Sequence, residues 1–175
     1  MAHADIVNAS FQDRKEAAEF LLLGIKGILV DNWVANLANA SSILWHHFVG
    51  FGVRVNWVGV YITTKEKLVL GPFQGKPACQ EISVGSGVCG VAAQTGELQL
   101  VDDVHSFPGH IACDGETKSE LVVPVIHNGE CVGVIDLDCL DLNGFDEVDS
   151  EMVKEAAEIL GTSFYNASQA LSRSL

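Results

Sequence analysis

Apolar positions recur at helical spacing from Asp13 to about Val30, at Ala17, Phe20, Leu21, Ile25, Ile28 and Leu29, and predict a first helix. Asp31 and Asn32 punctuate the chain, and a second broad apolar face follows in NWVANLANASSILWHHFVGFG, on Trp33, Leu37, Ala40, Ile43, Leu44 and Phe48. It stops at Gly50 and Gly52, as a helix C-terminus does. The period then falls to two: VNWVGVYIT, KLVLGPF and CQEISV read as strands, with a turn from Thr63 to Lys67. VCGVAAQTG predicts a short helix opening at a glycine-rich turn, ELQLVDDV a short strand, and HSFPGHIACDGETK a loop. SELVVPVIH and CVGVIDLDCL flank His127-Asn128-Gly129-Glu130, a hairpin signal. The chain closes on an amphipathic helix with acidic residues in its first turn, over about 146–172. The order predicts an α+β fold: an antiparallel sheet with helices on its faces, in one domain spanning 1–175, its N-terminal helices covering about 13–50.

Strand alternation places Cys131, Ile135, Leu137 and Cys139 on one face of CVGVIDLDCL, with Gly133 in line, and Val132, Val134, Asp136 and Asp138 on the other. Two carboxylates on one face of an apolar strand repel each other and are costly to bury without partners. They reach solvent at the strand end, cap nearby amides, or line a pocket for a cation, an ammonium group or a metal. Glu120 opens the partner strand and extends the pair to a trio. Cys131 and Cys139 read as small buried hydrophobes. Cys79, Cys89 and Cys113 sit instead in loop segments punctuated by glycine or proline. Cys89 lies near a helix start, where backbone N–H groups favour a thiolate, whereas Asp114 and Glu116 beside Cys113 oppose one.

A formal net charge of −13 argues against nucleic acid and anionic membrane as partners. At 48% hydrophobic residues the chain can bury a real core. The N-terminus shows no basic stretch followed by an apolar run and no segment reaches membrane-span length, so a cytoplasmic location is expected. Five cysteines cannot all pair within one chain, and none forms a CxxC, which disfavours zinc-ribbon and thioredoxin-type motifs. His105, His110 and Cys113 have loose ligand spacing without a recognised zinc pattern, so no metal is expected. His46 and His47 are adjacent on a helix and read as surface or packing residues. Gly85 and Gly87 belong to neither a P-loop nor a dinucleotide fingerprint, and no cofactor is expected.

Taken together, NWVGVY, LVLGPFQGKPAC, GVCG, DVHSFPGHIACD, SELVVPV and the DLD of VIDLDC resemble the free methionine-(R)-sulfoxide reductases, a catalytic branch of the GAF-domain fold. The resemblance covers nearly the whole chain and includes ANLANASSILWH in the second helix. It implies a central antiparallel sheet of about six strands with helices on both faces. It makes Cys113 the nucleophile, Cys89 the resolving partner and Cys79 an additional cysteine able to join the exchange. The substrate-binding carboxylates fall on Glu120, Asp136 and Asp138, and the aromatic wall on Trp57, with Tyr61 nearby. It further implies reduction of free methionine sulfoxide through a sulfenic acid and an intramolecular disulfide, thioredoxin as reductant, a homodimer and a role in the oxidative stress response. Either Glu120 or Asp138 delivers the proton. The competing readings are a non-catalytic GAF ligand sensor and a thiol redox sensor. The first has no need of three loop cysteines, and the second none of the carboxylates.

Overall fold

The computed structural model describes residues 13–173 apart from residue 66. The N-terminal stretch read for a leader and one residue of the Thr63 to Lys67 turn lie outside these. The helices are α1 (Arg14–Ile28), α2 (Trp33–Gly50), α3 (Gly87–Thr95) and α4 (Glu147–Ser172). The strands are β1 (Val55–Thr64), β2 (Lys67–Gly75), β3 (Glu81–Ser83), β4 (Gln99–Val101), β5 (Ser119–His127) and β6 (Glu130–Cys139). The α+β expectation holds: six strands form one antiparallel sheet in the order β3-β2-β1-β6-β5-β4.

Helix ends are set by side chains that satisfy free backbone N–H groups. Asp13 accepts from Lys15 N, Asn32 from Ala35 N, and Asp146 closes a capping box with Asp149. The Arg14 guanidinium donates to both Asp146 and Asp149, tying the start of α1 to the start of α4. Helix α1 stops at Ile28, and Leu29, placed on its apolar face by spacing, is its exposed C-cap. At the β5–β6 hairpin Asn128 and Gly129 take φ of 53° and 83°, the left-handed pair that a two-residue hairpin turn requires.

Helices α2 and α4 cover one face of the sheet, α1 packs against both, and the three form the larger core with Ile25, Leu44, Phe48, Val58, Leu121, Ile135 and Leu160. Helix α3 covers part of the other face, where Trp57, Tyr61, Val88, Cys89, Val122 and Val134 form a smaller core. The sheet is therefore apolar on both sides, and strict alternation of apolar and polar residues is lost in β1 and β6.

Two bulges decide which residues face α3. In β1, Val55 pairs with Cys139 but Trp57 pairs with Asp138, so Asn56 is the extra residue. Val55 then stays in the larger core while Trp57 turns to the α3 side. In the hairpin, Val125 faces Gly133 and Ile126 faces Cys131, leaving Val132 extra. This corrects the simple alternation: Cys131 does not share a face with Cys139. Half-buried Cys131 packs on the α3-side core, while Val132 and Cys139 join the larger one.

Candidate active site

Register brings the acidic residues together. Trp57, Asp138 and Glu120 lie side by side on β1, β6 and β5, and one step along lie Gly59, Asp136 and Val122. Directly opposed residues on neighbouring strands hold their Cβ atoms only ~5 Å apart, so Glu120 and Asp138 cannot both carry charge cheaply. All three carboxylates open into one pocket, roofed by α3 and by the loops carrying Cys79 and Cys113. The expectation that these carboxylates converge is met, and the alternative of a solvated strand end is not: Glu120 and Asp136 are each 7% exposed.

Burial, aided by the Asp136 and Asp138 charges, holds the Glu120 carboxyl well above the usual carboxylate range. Asp138, half-buried towards the mouth, is raised by burial and then by Asp136 and Asp114. Burial pushes Asp136 up to about 7, with contacts to Cys89 and Glu120 restraining the rise. The three titrate as a set, and the set retains protons at neutrality. His110 Nε2 stands 3.7 Å from Glu120 Oε2, yet burial and nearby His105 lower its pKa. The raised Glu120 and the lowered His110 both favour the uncharged forms, which gives this contact polar rather than ionic character.

Three aromatic rings form a wall. Trp57 stacks on Phe73 at 5.2 Å and on Tyr61 at 5.7 Å between ring centroids. Gly59 lets the indole lie flat along the strand: a Cβ there would meet Trp57 Cη2 at 2.5 Å and collide with Phe73. Gly59→Ala should therefore tilt the indole, destabilise the fold by about 1–3 kcal/mol and raise the KM for a pocket ligand. A urea midpoint and a Michaelis curve check both. Trp57 Nε1 and Asp136 Oδ1 are buried without hydrogen-bond partners. Both residues line the pocket, and unsatisfied buried groups facing a cavity point to a ligand.

Cys113 forms a disulfide with Cys79, while Cys89 is a free thiol. The implied pairing of Cys113 with Cys89 is not the bond the structure holds. Cys89, in the first turn of α3, is buried with Sγ 4.0 Å from Glu120 Oε1. Burial first, then the Asp136 and Glu120 charges, push its pKa well up, so the helix start does not make it a thiolate. Cys113 is exposed, Cys79 half-buried. Tyr61, whose hydroxyl donates to the Cys79 carbonyl at 3.1 Å, anchors that side of the bond.

Sequence reasoning missed what holds the Cys113 loop. Asn56, the bulge residue, donates to Asp114 Oδ2 at 3.2 Å and to Thr117 Oγ1 at 2.9 Å. Lys76 pairs with Asp114 at 3.2 Å and with Glu116. Those pairs offset the negative charge that local sequence sets against a Cys113 thiolate. A polar residue inside an apolar strand was the available signal for Asn56; nothing local marks Lys76. The suggested His105, His110 and Cys113 ligand set does not form, because Cys113 is bonded to Cys79. Acidic groups, one buried thiol and a disulfide exposed at Cys113, all around one cavity, suit thiol chemistry on a small cationic molecule.

The GAF-domain family matches residues 35–164. Saccharomyces cerevisiae free methionine-R-sulfoxide reductase is 53% identical over 168 residues, covering 92% of this chain and 93% of its own. A solved structure described as a GAF domain superimposes with a TM-score of 0.90 at 52% identity, covering 93% and 96% of the two chains. The Neisseria meningitidis free methionine-R-sulfoxide reductase, solved in complex with its substrate, superimposes with a TM-score of 0.81 at 41% identity, covering 92% and 96%.

Proposed function

Because this chain belongs to the GAF-domain family and, within it, to the free methionine-R-sulfoxide reductases, we propose that its chemistry runs through Cys113 and the Glu120, Asp136 and Asp138 pocket. The protein reduces free methionine-(R)-sulfoxide to methionine, as an oxidoreductase that uses its own thiols. The observation that carries the site assignment is that Cys113 and the three carboxylates line one cavity.

The substrate offers an ammonium, a carboxylate, a polar S=O and a methyl group. The acidic floor suits the ammonium, with Asp136 Oδ1 free to accept from it. Backbone amides of the loops suit the carboxylate, and Trp57 and Tyr61 the apolar side. The Cys113 thiolate attacks the sulfoxide sulfur while Glu120 or Asp138, held protonated, gives its proton to the oxygen. The oxygen passes to Cys113 as a sulfenic acid and methionine leaves. The Cys79 thiol then displaces water and closes the Cys79–Cys113 disulfide. An external dithiol, which we assign to thioredoxin, reduces the bond from the solvent side, where Cys113 is exposed. A sulfoxide within a polypeptide lacks the free ammonium and would leave the carboxylates without that partner.

The proton donor works only while protonated. Methionine release by the reduced protein should therefore fall once pH rises far enough to strip the proton from Glu120 and Asp138, both held well above the usual carboxylate range. A single-turnover pH profile checks this; a rate still climbing well into the alkaline range would contradict it.

The same proposal takes residues 1–175 as one catalytic domain, acting in the cytoplasm in the response to oxidative stress. Among the described residues no helix is long and apolar enough to cross a membrane. Leu23, Val30 and Val34 are exposed on and beside α1 and α2, apolar surface that suits a homodimer. The functional test is methionine release from the R and S epimers, supplied separately with dithiothreitol or a thioredoxin system. Turnover of the R epimer with either reductant supports the reading, and turnover of neither epimer sinks it.

A further inference from the structure

We propose that the pocket floor is also a site for a borderline-soft divalent cation, Zn2+ foremost, ligated by Cys89 Sγ and one oxygen each of Glu120 and Asp136. These three ligand atoms all lie within 4.8 Å of one another. Zinc–sulfur bonds of about 2.3 Å and zinc–oxygen bonds of about 2.0–2.2 Å leave ligand atoms ~3.5 Å apart in a tetrahedron. Small side-chain rotations therefore close the set. The residues are nine-tenths buried or more, at 4%, 7% and 7% exposure. Asp136 lines the pocket and its Oδ1 is buried without a hydrogen-bond partner, an observation separate from the ligand spacing that points to a bound group here.

The donor set selects the ion. A thiolate with two carboxylates favours zinc over magnesium or calcium, which need six or more oxygen ligands. His110 Nε2 lies 3.7 Å from Glu120 Oε2. As the cation binds, the Cys89 thiol and any protonated carboxyl release their protons to solvent, and no oxidation is involved. Neither Cys79 nor Cys113 is a ligand, so the site is present in the disulfide form shown here. The ion is a reversible ligand and not a resident cofactor. It would occupy the carboxylates assigned to the substrate ammonium and so compete with methionine sulfoxide, a consequence that rests on the proposed function.

Cobalt(II) titrated into the oxidised protein, followed by zinc, tests the site. The expected result is one equivalent bound, with a thiolate-to-cobalt charge-transfer band bleached by zinc. The band should vanish in Cys89→Ser, weaken in affinity by at least about tenfold in Asp136→Asn, and persist in Cys131→Ser. The near-isosteric Asp136→Asn serves if Cys89→Ser does not fold. No band in the wild-type, or a band unchanged in either pocket variant, would overturn the proposal. Loss of sulfoxide turnover in an otherwise unaltered protein would overturn the reductase reading and leave the cobalt band where it is.

Discussion

Cys113→Ser is expected to abolish turnover of free methionine-(R)-sulfoxide, by about a thousandfold or more. A serine hydroxyl fits where the thiol was but is not ionised near neutrality, and it forms no sulfenic acid. The other cysteines should separate by role. With Cys79→Ser, the first methionine is released but no disulfide forms, so one equivalent appears and multiple turnover stops. With Cys89→Ser, the Cys79–Cys113 bond still closes and cycling continues, because Cys89 lies outside the observed disulfide. Methionine release and mass mapping of the three variants read these outcomes side by side. Cycling in Cys113→Ser would remove the assigned nucleophile.

The double variant Asp136→Asn with Asp138→Asn should lose turnover by about 100- to 1000-fold. It removes the charge that holds the ammonium and the crowding that keeps a proton on the set. Its stability should move the other way. A buried carboxyl whose folded pKa is raised binds its proton more tightly folded than unfolded, so it costs stability as pH rises from the ordinary carboxylate range towards the raised value. For Asp136 that window ends at about 7. At mildly alkaline pH the neutral amides should therefore melt no lower than the wild-type, and higher if their new N–H groups find acceptors. A cold, well-folded, inactive variant separates a binding site from a structural acidic cluster. Wild-type turnover in it would contradict the pocket, and so would collapse of the fold.

The order of elements along the chain and most element boundaries were legible because the periodic signals were strong and the turns carried their own chemistry, Asn128-Gly129 above all; the order of strands within the sheet was not. The carboxylate trio was legible too, since a charge on an otherwise apolar strand is locally conspicuous. The face of Cys131 was not. A bulge at Val132 reverses alternation, and nothing in CVGVIDLDC distinguishes a bulged strand from a regular one. The thiol state of Cys89 also escaped the sequence. Its helix-start position favours a thiolate, but burial overrides it first, followed by carboxylates from β5 and β6, more than 25 residues away along the chain. The loop tethers at Asn56 and Lys76 depend on long-range placement as well.

The most direct test of the central claim is one turnover without external reductant. Fully reduced protein, freed of dithiol, is mixed with excess R epimer, and free methionine and disulfides are counted by non-reducing peptide mapping. The expected result is one methionine per chain and a single new bond joining Cys79 to Cys113, with Cys89 still a thiol. No methionine, or a bond from Cys113 to Cys89 in place of Cys79, would contradict it.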